Sequence, residues 1–132
     1  MYAQVQTYIK GSWYYAEYEP FRIDSEDKWY TIHLSGYSGN AGDSLTNTST
    51  GVGYDVNHNG MNFTTYDSDN DNMIPDGSCA MKTKGSWWFN NCWYSLLTGQ
   101  FATQYMSWYT LHDSGIQNNG RLRATRMMIR SI

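Results

Sequence analysis

Three carboxylates occupy alternate positions of one short segment, at Asp67, Asp69 and Asp71. Calcium prefers about six to eight oxygen ligands and accepts carboxylates, backbone carbonyls and water. Without a cation, carboxylates that converge in a non-helical loop would repel one another. The segment therefore predicts a calcium site. A solvated acidic turn without a metal is the alternative from these residues alone.

The spacing of these carboxylates also matches the first five positions of an EF-hand loop. An EF-hand requires Gly at its sixth position and Glu at its twelfth. The sequence has Asn72 and Ser78 there, and no helical pattern flanks the segment. The EF-hand is therefore excluded, which leaves a site built within a single loop.

The sequence has two cysteines, Cys79 and Cys92. Their spacing suits a local disulfide. It would add about 3 kcal/mol to the free energy of unfolding by lowering the conformational entropy of the unfolded state. Two free buried thiols are the alternative. Zinc is excluded, because two cysteines and three scattered histidines lack its ligand spacing.

Glycosylation sequons at Asn47 and Asn62 fit a secreted, extracellular protein.

Composition limits the classes of partner. The 132 residues fit one domain, and the formal charge of −3 argues against nucleic acid, since phosphate binding needs a positive field. The arginines near the end of the sequence read as a solvated strand face. No apolar run approaches the ~20 residues of a membrane helix, so we expect no membrane span.

Strand patterns dominate the sequence, and no long helix is indicated. We predict strands at 2–9, 13–18, 21–23, 29–34, 61–66, 107–111 and 123–129. The first two form a hairpin, and Tyr30, Ile32 and Leu34 share one face of the fourth. Residues 35–60 read as ordered loop, with a short helix start within 38–45. The segment 87–89 is apolar and reads as buried.

Several segments carry more specific patterns. They are Tyr15-Ala16-Glu17-Tyr18, the run from Gly36 to Leu45, His58-Asn59-Gly60-Met61, the run from Phe63 to Asp71, and Trp87-Trp88-Phe89-Asn90-Asn91-Cys92. Together they resemble the fibrinogen C-terminal (fibrinogen-related) domain of ficolins, tachylectins, angiopoietins and fibrinogen itself. The resemblance implies an α+β fold with a small twisted antiparallel sheet, short helices and long ordered loops. It also implies that residues 1–132 form one such domain, shortened at its N-terminus.

The resemblance implies how a calcium ion would be held. Asp69 and Asp71 would supply side-chain oxygens, with Asp67 as a further candidate. Backbone carbonyls near Met73 and Pro75, together with water, would complete the shell.

The resemblance also implies a Cys79–Cys92 disulfide beside a ligand pocket, and a cis peptide bond between Asn91 and Cys92. The pocket would accept acetylated sugars or other acetylated groups. Its candidate residues are Asn91, Cys92, Trp93, Tyr94, Phe101 and Tyr105.

Three features depart from the family pattern. The family's N-terminal portion, with another cysteine pair, has no counterpart here. Trp93 follows the second cysteine where lectin members often have His. The stretch from Gly99 to Trp108, which normally helps to wall the pocket, is shorter than usual.

The leading hypothesis is therefore an extracellular, calcium-dependent, lectin-type recognition domain of innate immunity that forms homo-oligomers. The alternative is a protein-binding or self-assembling module without sugar activity. A glycosidase would need a carboxylate pair, for which Glu17 with Glu19, or Glu26 with Asp27, qualify by type only. No nucleophile motif accompanies them, so we predict that the protein is not an enzyme.

Overall fold

The computed structural model describes residues 1–46, 56–73, 77–101, 103–113 and 121–131. The strands are β1 (Tyr2–Ile9), β2 (Ser12–Tyr18), β3 (Phe21–Ile23), β4 (Ile32–Leu34), β5 (Ser38–Gly39), β6 (Ser95–Leu96), β7 (Ser107–Trp108) and β8 (Ala124–Arg130). The helices are α1 (Cys79–Thr83) and α2 (Tyr109–Asp113), with a 3₁₀ helix at Glu26–Lys28. This mixture of small antiparallel sheets and short helices confirms the predicted α+β fold.

The central sheet is antiparallel with the order β5-β2-β1-β8. Strand β1 lies between β2 and β8, so that Val5 pairs with Ala16 on one side and Met127 on the other. Burial alternates strictly along β1, as the period of two in a strand requires. The hairpin between β1 and β2 turns at Lys10 and Gly11, whose φ angles of 51° and 83° are those of a tight hairpin turn.

One face of this sheet covers a core rich in aromatic side chains. The largest buried side chains include Trp108, Tyr18, Phe21 and Phe89. The polar atoms of Trp108 and Tyr18 have partners inside the core. The Trp108 indole donates to the Gly42 carbonyl at 2.8 Å, and the Tyr18 hydroxyl donates to Asp43 Oδ1 at 2.8 Å. The core thus joins the sheet to the loop that carries Gly42 and Asp43.

Several strand predictions are confirmed. The hairpin at 2–9 and 13–18, the strand at 21–23 and the C-terminal strand all form, the last at Ala124–Arg130. The segment 87–89 is buried as expected. These strands contain β-branched or aromatic residues, and the local sequence agrees with their tertiary surroundings.

The strand predicted at 29–34 is wrong over its first half. Trp29 and Tyr30 have φ angles of 51° and 54°, in the left-handed region. The Trp29 N–H closes the preceding 3₁₀ helix by donating to the Glu26 carbonyl. Strand β4 therefore begins only at Ile32, and Tyr30 is exposed instead of sharing the buried face of Ile32 and Leu34.

The helix start predicted within 38–45 does not form. Asp43 Oδ1 accepts from the Leu45 and Thr46 N–H groups and holds this segment as a loop after β5. The strand predicted at 107–111 ends at Trp108, where α2 begins. Ser44 Oγ accepts from the Thr110 N–H at 3.0 Å, so a residue distant in sequence supports the first turn of this helix.

The strand predicted at 61–66 is reduced to two isolated bridges, one between Thr64 and Trp87 and one between Thr65 and Ser68. The backbone N–H groups on either side point elsewhere, because Phe63 N donates to the Trp29 carbonyl and Thr65 N donates to the Ser68 carbonyl. A continuous ladder cannot form when neighbouring residues bond to different segments.

Replacing Tyr18 with Phe removes the hydroxyl that donates to Asp43. Burial raises the pKa of Tyr18 well above its ordinary value, so the hydroxyl remains a donor at all ordinary pH values. We expect the free energy of unfolding to fall by about 1–3 kcal/mol, as for other hydrogen bonds to charged groups. Urea denaturation followed by Trp fluorescence measures the change. Tyr15→Phe, at an exposed ring, is the control, and an equal loss in both variants would contradict the prediction.

Candidate functional site

The acidic loop is folded around the side chain of Asn70. A backbone bridge fixes its base, where the Thr64 N–H donates to the Trp87 carbonyl at 2.9 Å. The Asn70 amide donates to the Phe63 carbonyl at 2.9 Å, and the Asn70 N–H donates to Thr64 Oγ1 at 3.0 Å. These bonds close the loop on itself and fix the segment that carries the carboxylates.

The carboxylates of this loop have different surroundings. Asp67 is exposed and accepts from the Thr65 hydroxyl at 2.8 Å. Asp69 is exposed and accepts from the Asp71 N–H at 3.3 Å. Asp71 is half-buried, and its two oxygens accept from the Met73 N–H at 2.9 Å and the Cys79 N–H at 2.8 Å. Asp71 is therefore the carboxylate that joins the loop to the rest of the site.

The Asp71 carboxyl lies in an unfavourable place for a lone negative charge. Burial raises its pKa, and the neighbouring Asp69 carboxyl raises it further. The hydrogen bonds from Cys79 and Met73 act in the opposite direction and favour the charged form. Two carboxylates in such proximity favour a cation between them.

The donor set fits calcium in its chemistry. Asp71 uses two of the about four lone-pair directions of a carboxylate for backbone N–H groups, which leaves acceptor capacity for a metal. Asp69 adds a second hard oxygen donor of the kind that calcium prefers. In the part of the protein described, no group of three or more His, Cys, Asp or Glu side chains is placed to hold a metal. Backbone carbonyls and water would therefore have to complete the shell; Pro75 lies outside the described residues.

The predicted disulfide between Cys79 and Cys92 is confirmed, with Cα atoms 5.6 Å apart. The Asn91–Cys92 peptide bond is cis, as the resemblance implied. Cys79 is the first residue of α1, whose N-cap Ser78 accepts from the Met81 N–H. Because the Cys79 N–H also donates to Asp71, the acidic loop, the helix start and the disulfide form one connected unit.

Asn90 binds a second side of the acidic loop. Its carbonyl accepts from the Asn72 N–H at 3.0 Å, and its side-chain oxygen accepts from the Asn72 amide at 2.8 Å. The Asn90 amide donates to the Asn57 carbonyl at 2.9 Å, and its N–H donates to the Cys92 carbonyl at 2.8 Å. This buried residue thus holds the loop against the segment that contains the cis peptide bond.

His58 fixes the backbone immediately beyond Cys92. It is fully buried, and its Nε2 atom lies 2.9 Å from the Tyr94 N and 3.1 Å from the Ser95 N. Since Nε2 accepts from two N–H groups, Nδ1 must carry the proton and donate to the Trp88 carbonyl at 2.8 Å. A neutral imidazole therefore sets the direction of the backbone from which Trp93 projects.

The predicted pocket residues occupy different positions. Trp93 and Tyr105 are half-buried and meet edge to face with ring centroids 5.5 Å apart. The Trp93 indole donates to Ser107 Oγ at 3.2 Å. Tyr94 is only 5% exposed and packs against Tyr109, whereas Phe101 is 61% exposed.

Sulfur atoms connect the disulfide with the acidic loop. The Sδ atom of Met73 lies 3.6 Å from Sγ of Cys92, and Met73 itself is half-buried beside the disulfide. Asn91, the residue before the cis bond, is also half-buried. The structure therefore brings Met73, Cys92, Trp93 and Tyr105 to one region and leaves Phe101 at the surface.

Sequence reasoning did not single out His58, Asn72 or Asn90 as site residues. His58 and Asn90 stand only within motifs that carry the resemblance, and Asn72 only at a position that departs from an EF-hand. Their role is to bond backbone groups of segments that are distant in the sequence. The one available signal was the polarity of Asn90, which directly follows the apolar segment 87–89.

Residues 3–131 match the sequence pattern of the C-terminal globular domain of fibrinogen beta and gamma chains. The protein belongs to this family. Domains of this family are in general not enzymes.

The sequence is 42% identical to a techylectin-like protein of Phoneutria nigriventer over 106 residues, which cover 76% of this chain and 43% of the spider protein. It is 36% identical to human fibrinogen-like protein 1 over 107 residues, 74% of this chain and 34% of that protein.

Solved structures agree with the family assignment. The fibrinogen-like globe domain of human ANGPTL2 superposes with a TM-score of 0.75 at 33% identity, covering 98% of this protein and 57% of that one. Lamprey fibrin D-dimer, complexed with the peptide ligand Gly-His-Arg-Pro-amide, superposes with a TM-score of 0.78 at 26% identity. That match covers 99% of this protein and 46% of the lamprey one. The protein therefore spans roughly half, or less, of each of these relatives.

No helix among the described residues is both long enough and apolar enough to cross a membrane.

Replacing His58 with Ala leaves two N–H groups and one carbonyl without their buried partner. Each such group costs about 1–3 kcal/mol, so we expect the free energy of unfolding to fall by at least about 3 kcal/mol. Urea denaturation measures the loss. His33→Ala is the control, because His33 is partly exposed and pairs with Asp24 near the surface, where solvent screens the pair and its loss should change stability far less. A His58 variant as stable as the His33 variant would contradict the assigned role.

Proposed function

We propose that this protein is an extracellular, calcium-dependent recognition domain of lectin type that binds acetylated sugars or other acetylated groups. The main support is the half-buried pair of Trp93 and Tyr105 beside Cys92. An acetyl methyl group would pack against such aromatic faces, while nearby polar groups would orient its carbonyl. The similarity to a techylectin-like protein favours the same proposal.

Calcium would act on the shape of the pocket and not on the ligand directly. Asp69 and Asp71 would hold the ion with backbone carbonyls and water, and Asp71 already contacts the Cys79 N–H. Cys79 is bonded to Cys92, and Cys92 precedes Trp93. Ordering of the acidic loop by calcium would therefore stabilise the segment that carries the aromatic wall.

A protein-binding or self-assembling module is the second candidate. Trp93 stands where lectin members often have His, which replaces a polar pocket group by an indole. The indole N–H is already engaged with Ser107. A fibrin relative is known in complex with a peptide ligand, which favours a peptide as the alternative occupant.

The proposal also includes secretion and a homo-oligomeric state. The disulfide supports secretion, and membership of the family supports both.

Retention on an acetylated resin tests the proposed function. We expect the protein to bind in the presence of calcium and to be released by EDTA. Trp93→Ala should abolish retention, because it removes one wall of the pocket and the edge-to-face contact with Tyr105. Trp29→Ala is the matched control, since Trp29 is 56% exposed and lies on the 3₁₀ turn, outside the pocket.

The outcome separates the two candidates. A folded sample that is retained neither with calcium nor with EDTA would overturn the acetyl-group proposal. In that case, binding of fibrin-type peptides and sedimentation of the free protein would test the second candidate.

Thermal unfolding tests the calcium site separately. We expect saturating calcium to raise Tm by roughly 10 °C, as about 2.7 kcal/mol of linkage would at a hundredfold excess over Kd. Asp69→Asn should remove this increase and leave the calcium-free Tm nearly unchanged, since the Asp69 carboxylate is exposed and accepts a long hydrogen bond from the Asp71 N–H. Asp27→Asn, which changes an exposed carboxylate outside the acidic loop, should respond to calcium like the unaltered protein. An equal calcium response in the Asp69 variant would place the ion elsewhere.

A further inference from the structure

The central sheet has a second face, opposite the core, that the proposed function does not use. Gln4 and Gln6 of β1 stand on this face, beside Trp13, Tyr15 and Glu17 of β2. A hollow of about 230 Å³ lies there. Its lining consists of Gln4, Gln6, Trp13, Tyr14, Tyr15 and Glu17. None of these residues belongs to the unit around the disulfide.

A line of hydrogen bonds forms the polar side of the hollow. The Gln6 amide donates to Gln4 Oε1 at 2.9 Å, and the Gln4 amide donates to Glu17 Oε1 at 2.7 Å. The Gln4 amide also lies 3.2 Å from the Tyr2 hydroxyl, and Ser38 Oγ lies 3.5 Å from Glu17 Oε2. These amides and the carboxylate are thus held in fixed orientations on the sheet. Such an array offers both donors and acceptors to a ligand with several hydroxyl groups.

One acceptor of this array has no partner. Gln6 Oε1 is buried, and no hydrogen bond satisfies it among the described residues. A ligand hydroxyl can reach this oxygen only if the Gln6 amide turns, which exchanges its 2.9 Å bond to Gln4 Oε1 for bonds to the ligand. An unpaired buried acceptor is unfavourable, so a ligand that donates to it would offset part of that loss.

Aromatic rings form the other side of the hollow. Trp13 is 47% exposed and Tyr15 is 40% exposed. Trp13 is nevertheless held in place, because the Tyr8 ring lies 5.1 Å from it and the Arg126 guanidinium lies 4.8 Å from its ring centre. Exposed but fixed aromatic rings bind apolar surfaces with little loss of side-chain entropy.

We propose that this hollow binds a single uncharged pyranose ring, with its C–H face against Trp13 and Tyr15 and its hydroxyls bonded to Gln4, Gln6 and Glu17. A sugar ring combines an apolar face with a rim of hydroxyls, and the hollow combines the matching surfaces. The volume is below the about 300–1,000 Å³ of pockets for larger ligands, which favours one ring over an oligosaccharide.

The negative charge of Glu17 should distinguish uncharged sugars from acidic ones. Glu17 is the one charged side chain among the residues that line the hollow, and hydrogen bonds from Tyr2 and Gln4 lower its pKa, so it is ionised at neutral pH. In a pose whose hydroxyls bond Glu17, a uronic acid would bring a second carboxylate next to it, and we expect such a sugar to bind more weakly than its uncharged counterpart. Tighter binding of a uronic acid would instead place its carboxylate on Arg126, whose guanidinium lies 4.8 Å from the Trp13 ring centre. The acidic loop takes no part in this hollow, so binding here does not require calcium.

NMR titration in the presence of EDTA tests the proposal and keeps any calcium-dependent pocket out of the experiment. The probes are glucose, galactose and mannose, with glucuronate as the charged comparison. We expect at least one uncharged sugar to shift the side-chain amide signals of Gln4 and Gln6 and the indole signal of Trp13, with a dissociation constant in the millimolar range. Glucuronate should bind several-fold more weakly than glucose.

Two variants and one control sharpen the result. Trp13→Ala should weaken sugar binding at least tenfold, and Glu17→Gln should bring the affinity for glucuronate close to that for glucose. Trp29→Ala, an exposed Trp outside the hollow, should bind like the unaltered protein. Signal dispersion in each spectrum reports whether the variant is folded.

Three results would overturn the proposal. The first is the absence of shifts with all uncharged sugars in the folded, unaltered protein. The second is unchanged binding in Trp13→Ala. The third is an oligomer that Trp13→Ala dissociates in sedimentation without any sugar-induced shift, because the face would then join copies of this protein. A failure of the calcium-dependent acetyl binding would leave this proposal unaffected.

Discussion

Buried backbone groups in long loops must find hydrogen-bond partners, and in this domain side chains supply many of them. His58 satisfies three such groups. The Asn90 side chain bonds both Asn72 and Asn57. Asp43 and Asp71 each accept from two N–H groups. Regular sheet and helix account for only part of the fold, so these polar residues determine the loop conformations. A substitution at His58 or Asn90 would affect several segments at once, because each joins parts of the protein that are distant in sequence.

The candidate site follows from this constraint. Asp71 has to satisfy the first N–H of α1, and this places a carboxylate of the acidic loop beside the disulfide. Burial and Asp69 raise the pKa of Asp71, so the loop carries a local electrostatic cost that a cation would relieve. His58 then directs the backbone beyond Cys92 and orients Trp93 towards Tyr105. The acidic loop and the aromatic part are thus physically connected, which is what coupling between calcium and ligand would require.

The central sheet has two different faces. Ala3 and Val5 face the core, while Gln4 and Gln6 of the same strand face outward into a hydrogen-bonded array. Outward-facing aromatic residues stand beside that array and are only partly covered. A sheet face that is merely solvated needs neither a fixed amide line nor a fixed indole. The outward face is the surface on which we propose sugar binding, and it is separate from the region near the disulfide.

The sequence by itself determined the family, the first hairpin, the buried segment 87–89 and the pairing of its two cysteines. These features depend on local alternation or on motifs that lie close together in the sequence. Tertiary structure decided where β4 begins, why α2 replaces a strand after Trp108, and that Ser38–Gly39 forms an edge strand beside β2. At β4 the left-handed residues Trp29 and Tyr30 override the local strand propensity. At α2 the distant Ser44 side chain does so by accepting from the Thr110 N–H. Tertiary structure alone also gave His58 its role, because its imidazole bonds Trp88, Tyr94 and Ser95, which lie at least 30 residues away in the sequence.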